Sequence, residues 1–589
     1  MMPSLETNPP ESNANGLCAY RPSVAGHTHA TAAGHYGAAH AAFRILESGG
    51  NAIDAGVAGG IALGVLQSDI VNVAGVAPTL VYIAEEDRVY SIAGLGTWPK
   101  LASAEFFRRA HGGHIPEGLL RTVVPAAPAA WIAALDRFGT MSFGDVAAAA
   151  IRFAREGFPM HPLMAEVIAD HEADYRRWPS SAAIYLPGGR APKTGELFLQ
   201  SDLARSLQYM VDEEKKAAGK GRRAGLMAAR DAFYKGDIAA TIVNYHRSNE
   251  GWLSADDLAG FEAEIETPVR IRYKDHDVYT CPPWCQGPAL AQALKLVEGM
   301  DLKSLGHNSL AYIHMVTEAL KLAFADRERF YGDPRFIDVP MDRLLSDEYA
   351  AIRRGAIRQD RAFPGMPPAG DARTITGGGA AAGAAMRSRA HLDTSYVCAV
   401  DRHGNVFSAT PSDTSADSPV IPGTGLVPSM RGTQSWTDPA HASCLAPGKR
   451  PRLTPNPALA LGRRGKHGRE VLPFGTPGGD VQIQAMLQAF LNRVEFGMDP
   501  QQAVEAPRFA TYSFPDSFEP HGYLPDRLNL ESRLPKLTGE GLSKLGHDVQ
   551  WWPDFIWRAG AMCMVYSDPN TGLKTAAADP RRPAYALAW

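Results

Sequence analysis

Residues 363–390, FPGMPPAGDARTITGGGAAAGAAMRSRA, are mostly Gly, Ala and Pro with little hydrophobic patterning, and they lead directly into HLDTSYVCAVDRHGN at 391–405. This junction constrains the fold more than any other stretch. The first part lacks the apolar residues needed to pack and reads as a flexible linker over 363–393. The second part, TSYVCAVD and then NVFSAT around the turn RHG, predicts two short strands that are apolar on both faces. Such strands need helices or a second sheet on each side. The chain therefore reads as one compact α/β layered domain interrupted in sequence by slack.

The flanking pattern agrees. AHAAFRILESGGNAIDAGVAGGIALGVLQ, from Ala39, predicts two tandem helices, one ending at Gly49-Gly50 and the next capped by Asn51. TLVYIAEEDRVYSIAG and VRIRYKDHDVYTCPP read as hairpins. GPALAQALKLVEGM reads as a helix with Pro in its first turn. NSLAYIHMVTEALKLAFADRERFYGDP reads as a long amphipathic helix ending at Gly332, and DVQIQAMLQAFLNRVEFGMDPQQAVEAP supplies late helices. Residues 127–250 are mainly helical by periodicity, with the basic run Lys215–Arg223 on a solvated turn.

Bulk properties exclude several classes. The 589 residues carry a net charge of -4, with 59 basic and 63 acidic side chains, so nothing points to a nucleic-acid groove or an anionic membrane surface. The apolar run Ala55–Leu66 falls well short of the roughly 20 residues that span a bilayer. Residues 1–20 are polar and Pro/Asn-rich without an apolar signal core, and read as a disordered tail. Six sparse cysteines in a chain without an export signal are expected to stay reduced, which places the protein in the cytoplasm with a small-molecule substrate.

Candidate chemistry narrows from there. His27 and His29 form a possible metal pair off a strand end, but no series of further ligands follows; His314 and Glu318 lie i,i+4 without an HExxH, and Cys281 and Cys285 have no second pair. There is no G-x-S-x-G, Walker A or G-x-G-x-x-G signature. The expectation is no metal and no cofactor. Thr394, at the meeting of linker and buried strand, reads either as the first residue of that strand or as a nucleophile created by cutting the preceding bond. A cut would give it an α-amino group of pKa about 7.7–8.0 as its own base. Gly478-Gly479 before the helix near Asp480 reads either as a plain turn or as two N–H donors for an oxyanion.

In chain order, ILESGGNAIDAGVA, AYIHMVTEALKLAFADRERFYGDPRFIDVPMDRLLS, DTSYVCAVDRHGNVFS, PGTGLVPS, LAPGKRP and FGTPGGD, from about residue 20 to 515, resemble the γ-glutamyltranspeptidase family of N-terminal-nucleophile (Ntn) hydrolases. The resemblance implies an αββα sandwich made as a zymogen that cuts itself between Asp393 and Thr394. A large segment, 21–362, and a small one, 394–589, would then pair as a heterodimer, with a dimer of heterodimers as the further assembly open to it. It further implies that Thr394 attacks an amide carbonyl, that Gly478 and Gly479 hold the oxyanion, that Ser412 assists, and that water or an amine releases the acyl group.

The departures bear on substrate. Where the family has an Arg for the glutamyl carboxylate this chain has Leu95, and where it has an acidic residue for the amino group, Thr433; Leu453 and Thr454 replace paired serines, Thr414 replaces an Asn, and AGVAP at 74–78 replaces a Gly-rich segment. Without ionic clamps a zwitterionic glutamyl group loses its strongest hydrogen bonds. Arg431 and Arg452 are candidates for meeting a carboxylate elsewhere, and Trp98 and Trp284 for lining a less polar pocket or the core. The expected activity is a self-processing amidohydrolase or acyltransferase of altered acyl specificity. The alternatives are a true γ-glutamyl enzyme of glutathione metabolism holding its substrate with other residues, an uncleaved non-catalytic member, and a metal amidohydrolase on His27 and His29.

Overall fold

The computed structural model describes residues 19–371 and 394–589. Two seven-stranded antiparallel sheets dominate it. One runs Tyr585–Ala588, Ala30–Ala33, Val397–Val400, Val406–Ala409, Thr79–Ile83, Arg88–Ile92, Ile265–Glu266; the other runs Val24–Gly26, Lys574–Ala578, Cys563–Ser567, Gly468–Gly475, Ala458–Gly465, His276–Thr280, Val269–Tyr273. The architecture is mixed α/β with antiparallel sheets, and each sheet draws strands from both sides of residues 372–393.

The strands apolar on both faces are buried on both. Val397, Ala399, Phe407 and Ala409 join a core built with the helices Tyr36–Glu47, Ala52–Leu66 and Ala127–Phe138. Their neighbours Cys398, Val400 and Val406 join a second core with Leu459, Val471 and Val565 of the other sheet. The outer side of that other sheet packs on the helices Gly287–Glu298, Leu310–Phe330 and Gln482–Val494. Alternation of side chains along a strand makes this two-sided burial possible.

The tandem helices form as the sequence predicts. Asn51 caps Ala52–Leu66 in a reciprocal capping box with Asp54. Every residue of that helix is buried, and a Cβ on Gly56 would lie 1.9 Å from the Phe407 ring, so only glycine lets helix and sheet approach this closely. Both predicted hairpins pair, Thr79–Ile83 with Arg88–Ile92 and Val269–Tyr273 with His276–Thr280.

Two expectations are corrected. The long helix is Leu310–Phe330, closing before Gly332, and it is buried around most of its circumference rather than amphipathic, because Glu318, Lys321, Asp326 and Arg327 find partners inside. Residues 363–371, expected to be slack, are held in place. The Phe363 N–H donates to Glu318 Oε2 at 2.8 Å, Met366 N–H to the Tyr523 hydroxyl at 2.7 Å, and Gly370 N–H to Asp326 Oδ1 at 2.8 Å. Backbone hydrogen bonds to buried side chains, invisible to hydrophobic patterning, dock 363–371. Residues 372–393 lie outside the described part, as do 1–18 of the expected tail. Among the described residues no helix is long and apolar enough to cross a membrane.

Candidate active site

Thr394 begins the described part of the second segment, three residues before the strand Val397–Val400, and is fully buried. Its N–H donates to Ile70 O at 3.0 Å, and its Oγ1 lies 2.6 Å from Ser412 Oγ. Its φ is +82°, in the left-handed region that a β-branched residue rarely adopts. Ser412 is held by exchanging backbone hydrogen bonds with Val76, at 3.0 and 3.3 Å. The loop carrying Val76 must come close, and a Cβ on Gly75 would sit 2.2 Å from Ser412 O.

Arg431 completes this group. Its Nη2 donates to Ser412 Oγ and its Nε lies 3.1 Å from Asp413 Oδ1. Asp413 in turn accepts from Ser429 Oγ at 2.7 Å, and Asn72 Nδ2 donates to its carbonyl at 2.8 Å. A guanidinium has only donors, so Ser412 Oγ accepts from Arg431, and its second lone pair and its own proton are both open to the Thr394 hydroxyl.

Gly478 and Gly479 adopt φ of +125° and +55° ahead of the helix Gln482–Val494. Two side chains that the sequence did not single out fix this loop. Gln286 Nε2 donates to Gly479 O at 3.0 Å and to Thr454 O at 2.9 Å, while Arg327 binds both Gln286 Oε1, at 2.8 Å, and the Asp480 carboxylate. The only hint of Gln286 in the sequence is its place before the predicted helix at Gly287. Gly478 and Gly479 line a cavity of about 220 Å³, together with Phe518 and Arg582. Arg582 also reaches the Thr394 carbonyl at 3.4 Å, and Phe518 lies under the Arg431 guanidinium, 5.5 Å from it. Arg582 thus links the cavity to Thr394, and Phe518 links it to Arg431.

A model of the gamma-glutamyltranspeptidase family matches residues 38–589. The acylase ACY 1 proenzyme of Pseudomonas sp. (strain SE83) is 32% identical over 553 residues, covering 92% of this chain and 90% of that protein. The chain belongs to the γ-glutamyltranspeptidase family. It is a γ-glutamyltransferase-like hydrolase/transferase. A glutathione hydrolase-like YwrD proenzyme of Bacillus subtilis (strain 168) is 29% identical, covering 95% of this chain and 98% of that one. The crystal structure of cephalosporin acylase from Bacillus halodurans superposes with a TM-score of 0.83 at 27% identity, covering 100% of this chain and 99% of the other.

Against the family pattern, Leu95 is buried in the apolar core with Val76 and Trp284, far from offering charge. Thr433 is buried, its carbonyl accepting from Glu519 N–H at 2.9 Å. Thr454 exchanges hydrogen bonds with the Gln434 amide at 2.8 and 3.2 Å, and Thr414 Oγ1 accepts from Ala416 N–H at 3.3 Å. None of these four lines the cavity beside Gly478. Arg452 is committed elsewhere, 2.9 Å from Glu328 and stacked over Trp436 at 4.5 Å. Burial would raise the Glu328 carboxyl, but Arg452 and Arg327 beside it hold it well below the usual range. Trp98 and Trp284 are core residues whose indole N–H groups donate to Ser435 and Glu266.

The histidine pair at the N-terminus does not converge. His27 is exposed, whereas His29 is buried edge-on to Phe43 at 4.9 Å, and burial lowers its pKa. His314, Glu318 and His547 do bring ligand atoms within 4.8 Å of one another. A cation is already there: Lys321 Nζ lies 3.0 Å from Glu318 Oε1, the other carboxylate oxygen accepts from Phe363 N–H, and His314 Nε2 meets Arg358 O at 2.7 Å. This cluster anchors the chain after Arg358 rather than a metal.

Proposed function

We propose that Thr394 is the nucleophile of a self-processing Ntn amidohydrolase or acyltransferase. The observation that carries this reading is the Thr394–Ser412 contact of 2.6 Å, with Arg431 behind it, at the head of a fully buried strand. In the precursor, Thr394 Oγ1 attacks the carbonyl carbon of Asp393, the C–N bond breaks as nitrogen takes a proton, and water hydrolyses the ester to free the α-amine. The strained φ favours this step. A β-branched residue held at +82° stores about 1–3 kcal/mol, and scission removes the torsion altogether.

In the mature enzyme the free amine accepts the hydroxyl proton as Thr394 Oγ1 attacks a substrate amide, and the N–H groups of Gly478 and Gly479 stabilise the tetrahedral oxyanion. The leaving amine takes the proton, and water or another amine then releases the acyl group. Two sheets sharing one core, with helices outside each, support an αββα sandwich built jointly by the two segments. We place the cleaved bond between Asp393 and Thr394 and read the mature form as a heterodimer of the two segments. Sparse cysteines, all five free among the described residues, favour a cytoplasmic site of action.

The acyl group is read as other than γ-glutamyl. Leu95 and Thr433 put no charges where the family clamps a zwitterion, and one relative is named an acylase. The name of the other, glutathione hydrolase-like, keeps γ-glutamyl amides as the comparison substrate.

The test is intact mass and a denaturing gel of the protein beside Thr394→Ala. Fragments of about 42 and about 21 kDa, scaled from 393 and 196 residues, with Thr394 as the new N-terminus and an uncut variant, are expected. A wild-type chain that stays whole, or a variant that is cut at the same bond, overturns the assignment.

A further inference from the structure

The cavity beside Gly478 and Gly479 is not a generic cleft. Five aromatic side chains line it: Tyr512, Phe514, Phe518, Trp552 and Trp557. Several are fixed in place, Phe514 stacked on Phe324 at 3.7 Å and Tyr512 standing edge-on to Trp552 at 6.3 Å. They come from the three-stranded sheet Phe509–Thr511, Arg527–Glu531, Asp548–Trp552 and the loops around it, on a side of the oxyanion loop that Leu95, Thr433 and Thr454 do not reach. Preformed aromatic walls bind flat rings through burial and offset or edge-on contacts.

Charge at this wall is uneven. Asp480 is neutralised by Arg327, Asp516 accepts from Phe518 N–H at 2.9 Å, and Arg527 is paired with Asp548 at 2.8 Å. Arg582 is spent on the carbonyls of Thr394 and Trp557. Arg558 differs. It is exposed, rests on its neighbour Trp557 at 4.8 Å, and has no carboxylate within ion-pair distance among the described residues. An apolar cavity of about 150 Å³ holds benzene. About 220 Å³ leaves room for a ring bearing a small polar substituent.

We propose that this cavity takes the acyl part of the substrate as a flat aromatic ring carrying a second carboxylate, which Arg558 reads while the scissile carbonyl faces Gly478 and Gly479. The identity of the site rests on the amide-hydrolase reading above, but binding does not require turnover. Both N–H donors and a guanidinium favour anions, so a product-like aromatic dicarboxylate spans the two ends, whereas a monocarboxylate satisfies one.

The test is isothermal titration calorimetry of the purified full-length protein with isophthalate, beside benzoate and the open-chain adipate. Isophthalate is expected to bind about ten-fold more tightly than either, the equivalent of one charge-assisted hydrogen bond. Arg558→Gln should remove its advantage over benzoate, and Arg558→Lys should restore part of it. Isophthalate binding no better than adipate, or unaffected by Arg558→Gln, overturns the proposal. Neither result bears on Thr394, whose role stands or falls on the cleavage experiment.

Discussion

Ser412→Ala isolates the hydroxyl that the structure puts between Arg431 and Thr394. It removes a 2.6 Å contact to Thr394 Oγ1 and the acceptor for Arg431 Nη2, and leaves the Arg431–Asp413 pair at 3.1 Å in place. A hydrogen bond to a group of developing charge contributes about 1.5–3 kcal/mol. At 1.36 kcal/mol per factor of ten, self-cleavage and amide turnover should each slow by about 10- to 150-fold. The fold should survive, since the orphaned guanidinium donor costs about 1–3 kcal/mol and the guanidinium keeps its carboxylate. The assay is a gel time course of fragment appearance from freshly folded precursor, followed by kcat for the processed protein. Ser412→Thr, which restores a hydroxyl at the price of one buried methyl, should recover much of the loss. Cleavage and turnover within two- to three-fold of wild type in Ser412→Ala would refute the reasoning that this hydroxyl serves Thr394.

Two other predictions use different parts of the site. Gly75→Ala places a Cβ 2.2 Å from the Ser412 carbonyl, a backbone atom that cannot swing aside, so both thermal stability and processing should fall; an unchanged melting temperature and cleavage rate would show that the loop gives way. Burial raises the Asp69 carboxyl from 3.8 to about 7, against backbone N–H groups and Arg582 that pull it down. Between those values the folded protein keeps a proton that the unfolded chain has lost, so this group removes stability as pH rises from about 4 to about 7, by up to about 1.4 kcal/mol per pH unit. Asp69→Asn should therefore gain stability over wild type at pH 8 relative to pH 4.5, read as the urea midpoint, and a pH-independent gap would contradict the burial argument.

Particular residues show how far the sequence reaches. The unbroken apolar run after Thr394 and the glycines before Asn51 announce two-sided strands and capped tandem helices because these are local signals, written within a few residues. Motif order singles out Thr394, Ser412 and the Gly478-Gly479 pair, and the structure sets Ser412 against Thr394. Other assignments depend on which partner a side chain finds. Arg431 and Arg452 look equivalent in sequence, yet one reaches Ser412 and the other is absorbed by Glu328 and Trp436. Phe363 to Asp371 looks slack because its hold is through backbone hydrogen bonds to Glu318, Tyr523 and Asp326, which composition does not record.

The sequence by itself determined the family and the mixed α/β class, and it put Leu95 and Thr433 where the family pattern has charges, since each is a matter of residue type at a local spacing. Only the tertiary structure decided which polar groups converge. Gln286 ties Thr454 to Gly479, Arg327 holds Asp480, and five rings from 512 to 557 wall the cavity beside Gly478 and Gly479. These residues lie far apart along the chain, and nothing local marks them. Their proximity follows from the two large sheets and the small third sheet packing around shared cores, where hydrophobic burial sets the frame and hydrogen-bond satisfaction selects the partners.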